Sequence, residues 1–275
     1  MHDSTKRFSS RVDNYIKYRP SYPQALIDLL AAECGLSSDS TIADIGSGTG
    51  ILAELLLQRG YQVLGVEPNA EMRAAGERLL EAYPGFMSFE GTAEETSLPS
   101  GSIDLITAGQ AFHWFDHERF RAEAVRILKP SGWIALIWND RRTDTSPFLR
   151  AYEQLLITHG TDYEAINHKQ FDDESMKGFF GAGGFRKASF PNNQTFDFEG
   201  VKGRLLSSSY APEAGHPSHQ PMLDELQTIF DQHQTHGQVV FEYDTIVYYG
   251  SASALAAVIA EADPGLDLLL GSGAE

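Results

Sequence analysis

The chain of 275 residues contains one cysteine, Cys34. A lone thiol excludes an internal disulfide and any metal site built from several cysteines, and it fits a reducing cytoplasm, where the chain is expected to reside. Positive charge is scarce: 21 Lys and Arg stand against 38 Asp and Glu, a formal net charge of −17. That balance disfavours unassisted binding to nucleic-acid phosphates. The basic residues near the start, Lys6, Arg7, Arg11, Lys17 and Arg19, read as a solvated arm. No apolar run approaches the length of a bilayer span, and Met1-His2-Asp3-Ser4 lacks the apolar core of a signal peptide, so no membrane partner is expected. Two catalytic loops are missing as well: the G-x-S-x-G elbow of hydrolases and the G-x-x-x-x-G-K-[ST] loop of P-loop proteins. What is present is 42% hydrophobic content at a length that supplies ample core for one large α/β domain.

The most informative stretch is Thr41 to Gly50, TIADIGSGTG. Thr41-Ile42-Ala43-Asp44-Ile45 is a short β-branched and apolar run, the pattern of a buried parallel strand. Gly46, Gly48 and Gly50 follow at alternate positions, and Ile51-Leu52-Ala53-Glu54-Leu55-Leu56-Leu57 begins a helix. Strand, glycine loop and helix form the first crossover of a nucleotide-binding α/β fold. The glycines let the chain turn sharply and let a ligand reach the main chain, and the helix start offers unpaired N–H groups. A dinucleotide fingerprint spaces its glycines G-x-G-x-x-G, whereas here the spacing is G-x-G-x-G. Asp44, two residues before the loop, would repel a pyrophosphate but suits a ligand with positive charge, such as the sulfonium and ammonium of S-adenosylmethionine. The next strand, Gln62 to Val66, ends in Glu67, about twenty positions after Gly46, where an acidic side chain meets ribose hydroxyls in such folds.

Helical patterns run from Ser21 to Gly35, Glu71 to Tyr83, Asp116 to Leu128 and Ser146 to Thr158. Pro130 and Gly132 predict a turn into the buried strand Trp133 to Trp138. Strands and helices alternating at this spacing predict a parallel, doubly wound sheet. Further on, a glycine turn, Gly181 to Phe185, leads to a strand near Arg186 to Phe190, and Gln238 to Tyr249 alternates as another strand. Residues 191–237 read as two helices covering a cavity.

These motifs together resemble the class I S-adenosylmethionine-dependent methyltransferases, in particular the small-molecule type 11 kind. The resemblance rests on the glycine loop with Glu67, on Gly91-Thr92-Ala93-Glu94, on Ser102 to Thr107, on Gln110-Ala111-Phe112-His113-Trp114-Phe115 and on Lys129-Pro130-Ser131-Gly132-Trp133, in that order. Asn14-Tyr15-Ile16-Lys17-Tyr18-Arg19-Pro20 resembles the arm that folds over the cofactor in one subgroup. The likeness is good over residues 8–140 and weak beyond. It implies a seven-stranded, mostly parallel sheet with an antiparallel last strand and a helical cover. It implies one domain over 1–250: arm and first helix at 1–35, cofactor-binding core at 36–138, a cover insertion with the sixth strand at 139–237, and the last strand at 238–250. Residues 251–275, without Lys or Arg, read as an appended helix or a disordered tail.

The resemblance also implies S-adenosylmethionine as cofactor, held by Tyr18, Asp44, Gly46, Gly48, Gly50, Glu67, Pro68, Ala93, Glu94, Gln110 and Ala111. A small-molecule acceptor would meet Tyr15, His113, Trp114 and Arg141. His113 is the candidate general base, set against a reading in which it only joins an aromatic wall with Phe112 and Trp114. Arg141 and Arg142 are either a carboxylate clamp or a solvated turn. The pairs His216/His219 and His233/His236 read as a polar surface loop and helix end, so no metal site is expected. Two other functions stay open: a nicotinamide oxidoreductase, against which glycine spacing and Asp44 speak, and a non-catalytic sensor of S-adenosylmethionine.

Overall fold

The structure is a computed structural model that describes residues 16–161, 163, 172–181 and 184–262. Strand β1 (Thr41–Ile45) buries every residue from Ile42 to Ile45, as a parallel strand covered on both faces must. Strand β2 (Gln62–Val66) pairs along its whole length in parallel, Thr41 opposite Gln62 and Ile45 opposite Val66. Beyond it lies β3 (Phe86–Phe89). On the other side of β1 stands β4 (Ile103–Gly109), followed by β5 (Leu128–Arg141), both parallel to it. Strand β6 (Phe185–Phe196) and strand β7 (Val239–Ser251) finish the sheet, β7 antiparallel to both β5 and β6. The seven strands lie in the order β3-β2-β1-β4-β5-β7-β6, which is the doubly wound, mostly parallel sheet the alternation and the resemblance led to.

Strand alternation sends Ile42 to one face and Ala43 and Ile45 to the other. On the Ile42 face, helices α1 (Gln24–Glu33) and α2 (Ile51–Gln58) lay Leu26, Leu30, Leu52 and Leu56 against Val63, Leu105 and Ile137. Helix α3 (Ala70–Leu79) begins at Asn69, whose side chain accepts from the Met72 amide at 2.9 Å. The other face is covered by α4 (His117–Ile127) through Phe120 and Ile127. A third apolar cluster lies beyond the end of β5, where the antiparallel β6–β7 pair overruns its neighbour. There α5 (Pro147–His159) packs Phe148, Tyr152 and Leu155 against Phe241 and Tyr243 of β7.

Several details differ from the sequence expectations, each for a physical reason. Helix α6 (Asp173–Phe180) belongs to the segment read as cover, yet Met176, Phe179 and Phe180 pack on the sheet beside Phe120. The cover therefore consists of α5, α7 (Phe198–Leu206) and α8 (His219–His233). Strand β6 continues through Pro191 to Phe196, which an edge strand tolerates because one N–H row has no ladder partner to lose. Strand β5 starts at Leu128, and the Pro130–Gly132 signal appears as a register shift against β4 between Ile103 and Leu105. Helix α9 (Ala252–Ala262) is docked, with Leu255 fully buried against the sheet, while residues 263–275 lie outside the described residues. Among the described residues no helix is long and apolar enough to cross a membrane.

Chain order reverses between β1 and β4, so their carboxyl ends open a crevice. Ligands of open α/β sheets bind at this switch point.

Candidate active site

The glycine loop is stitched to the end of β2: the Gly46 and Ser47 amides donate to the Val66 carbonyl at 2.8 and 3.2 Å. Gly46 and Gly48 have φ of 68° and 58°, in the left-handed region that favours glycine. At Gly46 a side chain would also collide, since its Cβ would lie 2.6 Å from the Ala111 Cβ. Two cavities open beside this loop, and both are lined by Gly46, Gly109, Gln110 and Trp114.

The first cavity, about 160 Å³, centres on Glu67. Its carboxylate is 8% exposed and accepts two main-chain amides, Gly48 and Asn69, each at 2.9 Å. Those bonds fix the orientation of the carboxylate toward the cavity, and a carboxylate has further lone pairs for a ligand diol. Arg73 reinforces the turn by donating to the Glu67 carbonyl at 2.9 Å. Burial raises the Glu67 pKa, against the pull of the two amides and of Arg73. Pro68, Met72, Ala93, Ala111 and Phe115 supply apolar wall, and Glu94 closes one side. Glu94 also accepts from the Asp116 amide at 2.7 Å, which ties the segment after β3 to the start of α4. Gln110 stands just after β4 with φ of 58°, a strained backbone for a residue with a Cβ. Its Nε2 donates to the Asn139 carbonyl at 3.2 Å, and its amide donates to Ile137 at 2.8 Å.

The second cavity, about 120 Å³, runs from the glycine loop to the underside of the cover. Asp44 lines the loop end and accepts from the Thr107 hydroxyl at 2.8 Å, across the β1–β4 pairing. Burial pushes the Asp44 carboxyl up to about 7, only partly offset by Thr107 and the Ala53 amide, and the Glu67 charge adds to the rise. Asp44 therefore ionises readily once a cation approaches. Thr49, in the turn before α2, lines the same end, and its buried hydroxyl has no hydrogen-bond partner. His113 and Trp114 sit on a single 3₁₀ turn, Phe112–Trp114, with their rings 4.7 Å apart, and both line the cavity.

The far end is built from distant parts of the chain. Asn139 on β5 donates to the Ser21 carbonyl at 3.2 Å, and Asn192 on β6 donates to the same carbonyl at 2.7 Å. These bonds strap residues 18–22 to the sheet and bring Arg19 into the lining. Arg19 Nη2 donates to the Ser207 carbonyl at the end of α7, at 3.0 Å. Arg141, the last residue of β5, is buried: one Nη bonds Glu153 and the Tyr163 hydroxyl, and the guanidinium lies 5.0 Å from the Tyr152 ring centre. Arg204 on α7 is buried as well, donating to the Tyr243 hydroxyl at 3.3 Å and the Ser208 hydroxyl at 3.0 Å. Arg141, Tyr163, Arg204 and Tyr210 all line this end.

Of the residues picked from the sequence, Gly46, Gly48, Glu67, Pro68, Ala93, Glu94, Gln110 and Ala111 meet at the first cavity. Asp44, His113, Trp114 and Arg141 meet at the second. Three picks do not fit this grouping. Tyr18 lines neither cavity: its ring packs edge-on to Phe196 at 6.1 Å and against Gly203 of α7, where any side chain would strike it. Gly50 is also outside both linings; with φ of 86° it turns the chain into α2, and its missing Cβ leaves room for Leu80. Tyr15, with Phe8 and Arg11 of the arm, lies outside the described residues. Phe112 points away from the ligand crevice into the sheet-face core, 1% exposed between Phe120 and Phe179. Arg142 pairs with Asp244 at 2.7 Å on the outer side, so only one of the two adjacent arginines faces the cavity. His216 accepts from the Ser218 amide and His219 contacts the Pro212 carbonyl, local turn bonds at the start of α8.

Sequence reasoning missed Arg204 and Tyr210. One signal was available for Arg204: Val201, Arg204 and Leu205 share one face at helical spacing, so a lone cation interrupts an apolar stripe.

The model of the family described as Methyltransferase domain matches residues 43–136, the span from β1 to β5 that carries the glycine loop and Glu67. An uncharacterized methyltransferase of Mycobacterium tuberculosis is 38% identical over 139 residues, 50% of this chain and 54% of that protein. The chain spans about half the length of the curated relatives it matches first. Among solved structures, a protein from Anaeromyxobacter dehalogenans assigned as a type II methyltransferase superposes with a TM-score of 0.61 at 21% identity, covering 86% of this chain and 98% of that one. A phosphoethanolamine N-methyltransferase of Haemonchus contortus, solved with S-adenosyl-L-methionine, gives a TM-score of 0.54 at 14% identity over 90% of this chain and 58% of that one.

Proposed function

We propose that the chain is a class I S-adenosylmethionine-dependent methyltransferase of the type 11 kind and that it transfers a methyl group from S-adenosylmethionine to a small-molecule acceptor, a reading supported by the methyltransferase-domain match over residues 43–136, the methyltransferase relatives and the shared fold. The observation that carries this reading is the pair of cavities sharing Gly46, Gly109, Gln110 and Trp114, one with a buried carboxylate acceptor and the other under a cover. The residues present suit the cofactor. Glu67, oriented by two amides, matches a ribose diol, and the apolar wall of Ala93, Met72 and Phe115 matches a planar base. The unpartnered Thr49 hydroxyl and the first amides of α2 suit a carboxylate. Asp44, once ionised, offsets positive charge beside the loop.

When bound, S-adenosylmethionine supplies a methyl group already activated by its sulfonium. The chain's own part is orientation and exclusion of water. Gln110 and Trp114, shared by the two cavities, set the angle at which the ligands meet. His113 is placed to take a proton from an acceptor that carries one, and an acceptor already ionised needs no base. Arg204 of α7 with Tyr163 and Tyr210 lines the second cavity under the cover, a shape that suits a small molecule and not a folded macromolecule, and the net charge of −17 argues the same against nucleic acid. A formed acceptor cavity also favours an enzyme over a non-catalytic sensor. Calorimetry with S-adenosylmethionine, S-adenosylhomocysteine and NAD, followed by a methyl-transfer screen of acids, amines and phenols against RNA and protein pools, tests the proposal. Binding of the first two and turnover on a small molecule are expected. Binding of NAD alone, or turnover confined to macromolecules, overturns it.

A further inference from the structure

The inner end of the second cavity gathers three guanidiniums in a protein that is strongly acidic overall: Arg19, Arg141 and Arg204. Arginine remains protonated in any protein environment, so each is a fixed positive charge. An arginine with a structural task is normally saturated, even at the surface. Arg126, on the outside of α4, illustrates this: its nitrogens reach both Glu123 oxygens, the Ser100 hydroxyl and the Leu98 carbonyl. Arg204 is far more buried, at 6% exposure, yet meets only two neutral hydroxyls, and among the described residues no Asp or Glu contacts it. Arg141, at 8% exposure, uses Nη2 on Glu153 and Tyr163 and leaves buried Nη1 without any hydrogen-bond partner. A buried charge without a counter-ion, and a buried donor without an acceptor, are both costly, and proteins retain them where a ligand completes the set.

The surroundings agree on the sign of that ligand. Burial opposes ionisation of the Tyr210 phenol, yet Arg204 and Arg141 outweigh it and hold the phenol below its ordinary value. Arg19, Arg141 and Arg204 line the same end as that phenol, which concentrates positive charge there. The lining holds two acids against these three arginines: Asp44, which belongs to the glycine-loop end, and Asp140, which neighbours Arg141 on β5. A ligand's positive charge thus finds Asp44 beside the loop, and the guanidiniums under the cover are left for a second, negative group.

We propose that Arg204 and Arg141 anchor the methyl acceptor through an oxyanion, either a carboxylate or a phosphate ester, so that the substrates of this cavity are small organic acids; this rests on the methyl-transfer reading above. Arginine engages either oxyanion through paired N–H donors, and amines or neutral alcohols leave Arg204 without a counter-ion and Arg141 Nη1 without an acceptor.

The test pairs small carboxylic acids and phosphate esters with their neutral amide or alcohol counterparts in a methyl-transfer panel, and titrates accepted acids into protein saturated with S-adenosylhomocysteine. Turnover confined to the acids is expected, and the carboxylate and phosphate arms identify which oxyanion is used. Arg204→Gln and Arg141→Gln should each weaken acid binding at least tenfold and leave the affinity for S-adenosylhomocysteine within twofold. Preference for neutral or cationic acceptors overturns the proposal. So does an acid whose affinity neither substitution moves, or a loss of S-adenosylhomocysteine affinity in both variants, which would give the arginines to the cofactor's carboxylate. The wild-type panel decides the ligand class by itself, so a variant that fails to fold leaves the test standing. If S-adenosylhomocysteine does not bind wild-type protein, the methyl-transfer reading fails. Citrate, succinate and glycerol 3-phosphate titrated into the unloaded protein then decide the anion site separately: heat lost in Arg204→Gln supports it, and no heat from any of them ends it.

Discussion

The Glu67 cavity and the Arg204 cavity share four residues but are made differently. The Glu67 side is built from backbone: two glycines at positive φ, two amides on a carboxylate, and a carbonyl at the end of β2 that receives two more. Its partners are close in sequence, Gly48 and Glu67 being 19 positions apart. The Arg204 side is built from side chains on separate segments that reach far along the chain, with Arg19 and Ser207 lying 188 positions apart and Asn139 and Ser21 118 apart. A site made of main-chain groups tolerates few substitutions, because its donors are set by backbone geometry. A site made of side chains is retuned one residue at a time while the fold persists. That division suits a ligand common to many relatives at one end and a ligand that varies at the other.

If the division is real, the largest single effect belongs to the loop backbone. Gly46→Val places a branched side chain at a φ of 68° and into the Ala111 Cβ. S-adenosylhomocysteine affinity should fall by about a hundredfold or more, read by calorimetry on protein whose circular dichroism is unchanged. Retained affinity would place the ligand elsewhere. Next is Glu67→Ala, which removes a charged acceptor of the ligand diol and leaves two amides without a partner; a loss of roughly 1.5–3 kcal/mol is expected. An equal loss in acid-acceptor affinity measured on ligand-free protein would break the separation of the two ends.

A smaller effect, with a distinctive pH signature, belongs to Asp44. Its folded pKa of about 7 lies above its ordinary 3.8, so the native state keeps a proton that the unfolded chain releases between those values. Ligand-free stability therefore declines as pH rises from about 4 to 7, by at most about 1.4 kcal/mol per unit. A cationic ligand prefers the ionised carboxyl, so cofactor affinity should decline as pH falls below about 7, by up to roughly tenfold per unit. Asp44→Asn should raise the melting temperature at pH 8 and flatten the pH dependence of affinity. A variant whose affinity keeps the wild-type pH profile would remove Asp44 from the ligand's charge balance. The smallest effects are expected at Tyr18→Phe and Arg142→Met, residues outside both cavities: cofactor and acceptor affinities should stay within about twofold, as for surface changes generally. A tenfold change at either would redraw the boundary of the site.

The same contrast explains what was legible before the structure. The loop, Glu67, and the Gln110–Trp114 segment could be read because each is a short contiguous motif with one physical task. So could the sheet, since alternating strands and helices admit few arrangements. Arg141 and Arg142 show the limit. They are adjacent and alike, and only the pairing of β5 with β7 decides that one is buried beside Tyr152 and the other faces Asp244. Tyr18 was legible as an arm residue, but its docking against Gly203 depends on α7, far along the chain. Helix α6 was misplaced because amphipathicity shows that a helix has a buried face and says nothing of which cluster receives it.

The central claim is a cofactor end organised by Glu67 and an acceptor end organised by Arg204 within one cleft. Its most direct test is calorimetric titration of S-adenosylhomocysteine into wild-type, Glu67→Ala and Arg204→Gln proteins. Wild-type protein should bind, Glu67→Ala should bind at least about tenfold more weakly, and Arg204→Gln should match wild type within about twofold. No binding to wild type, or a loss in Arg204→Gln equal to that in Glu67→Ala, would contradict it.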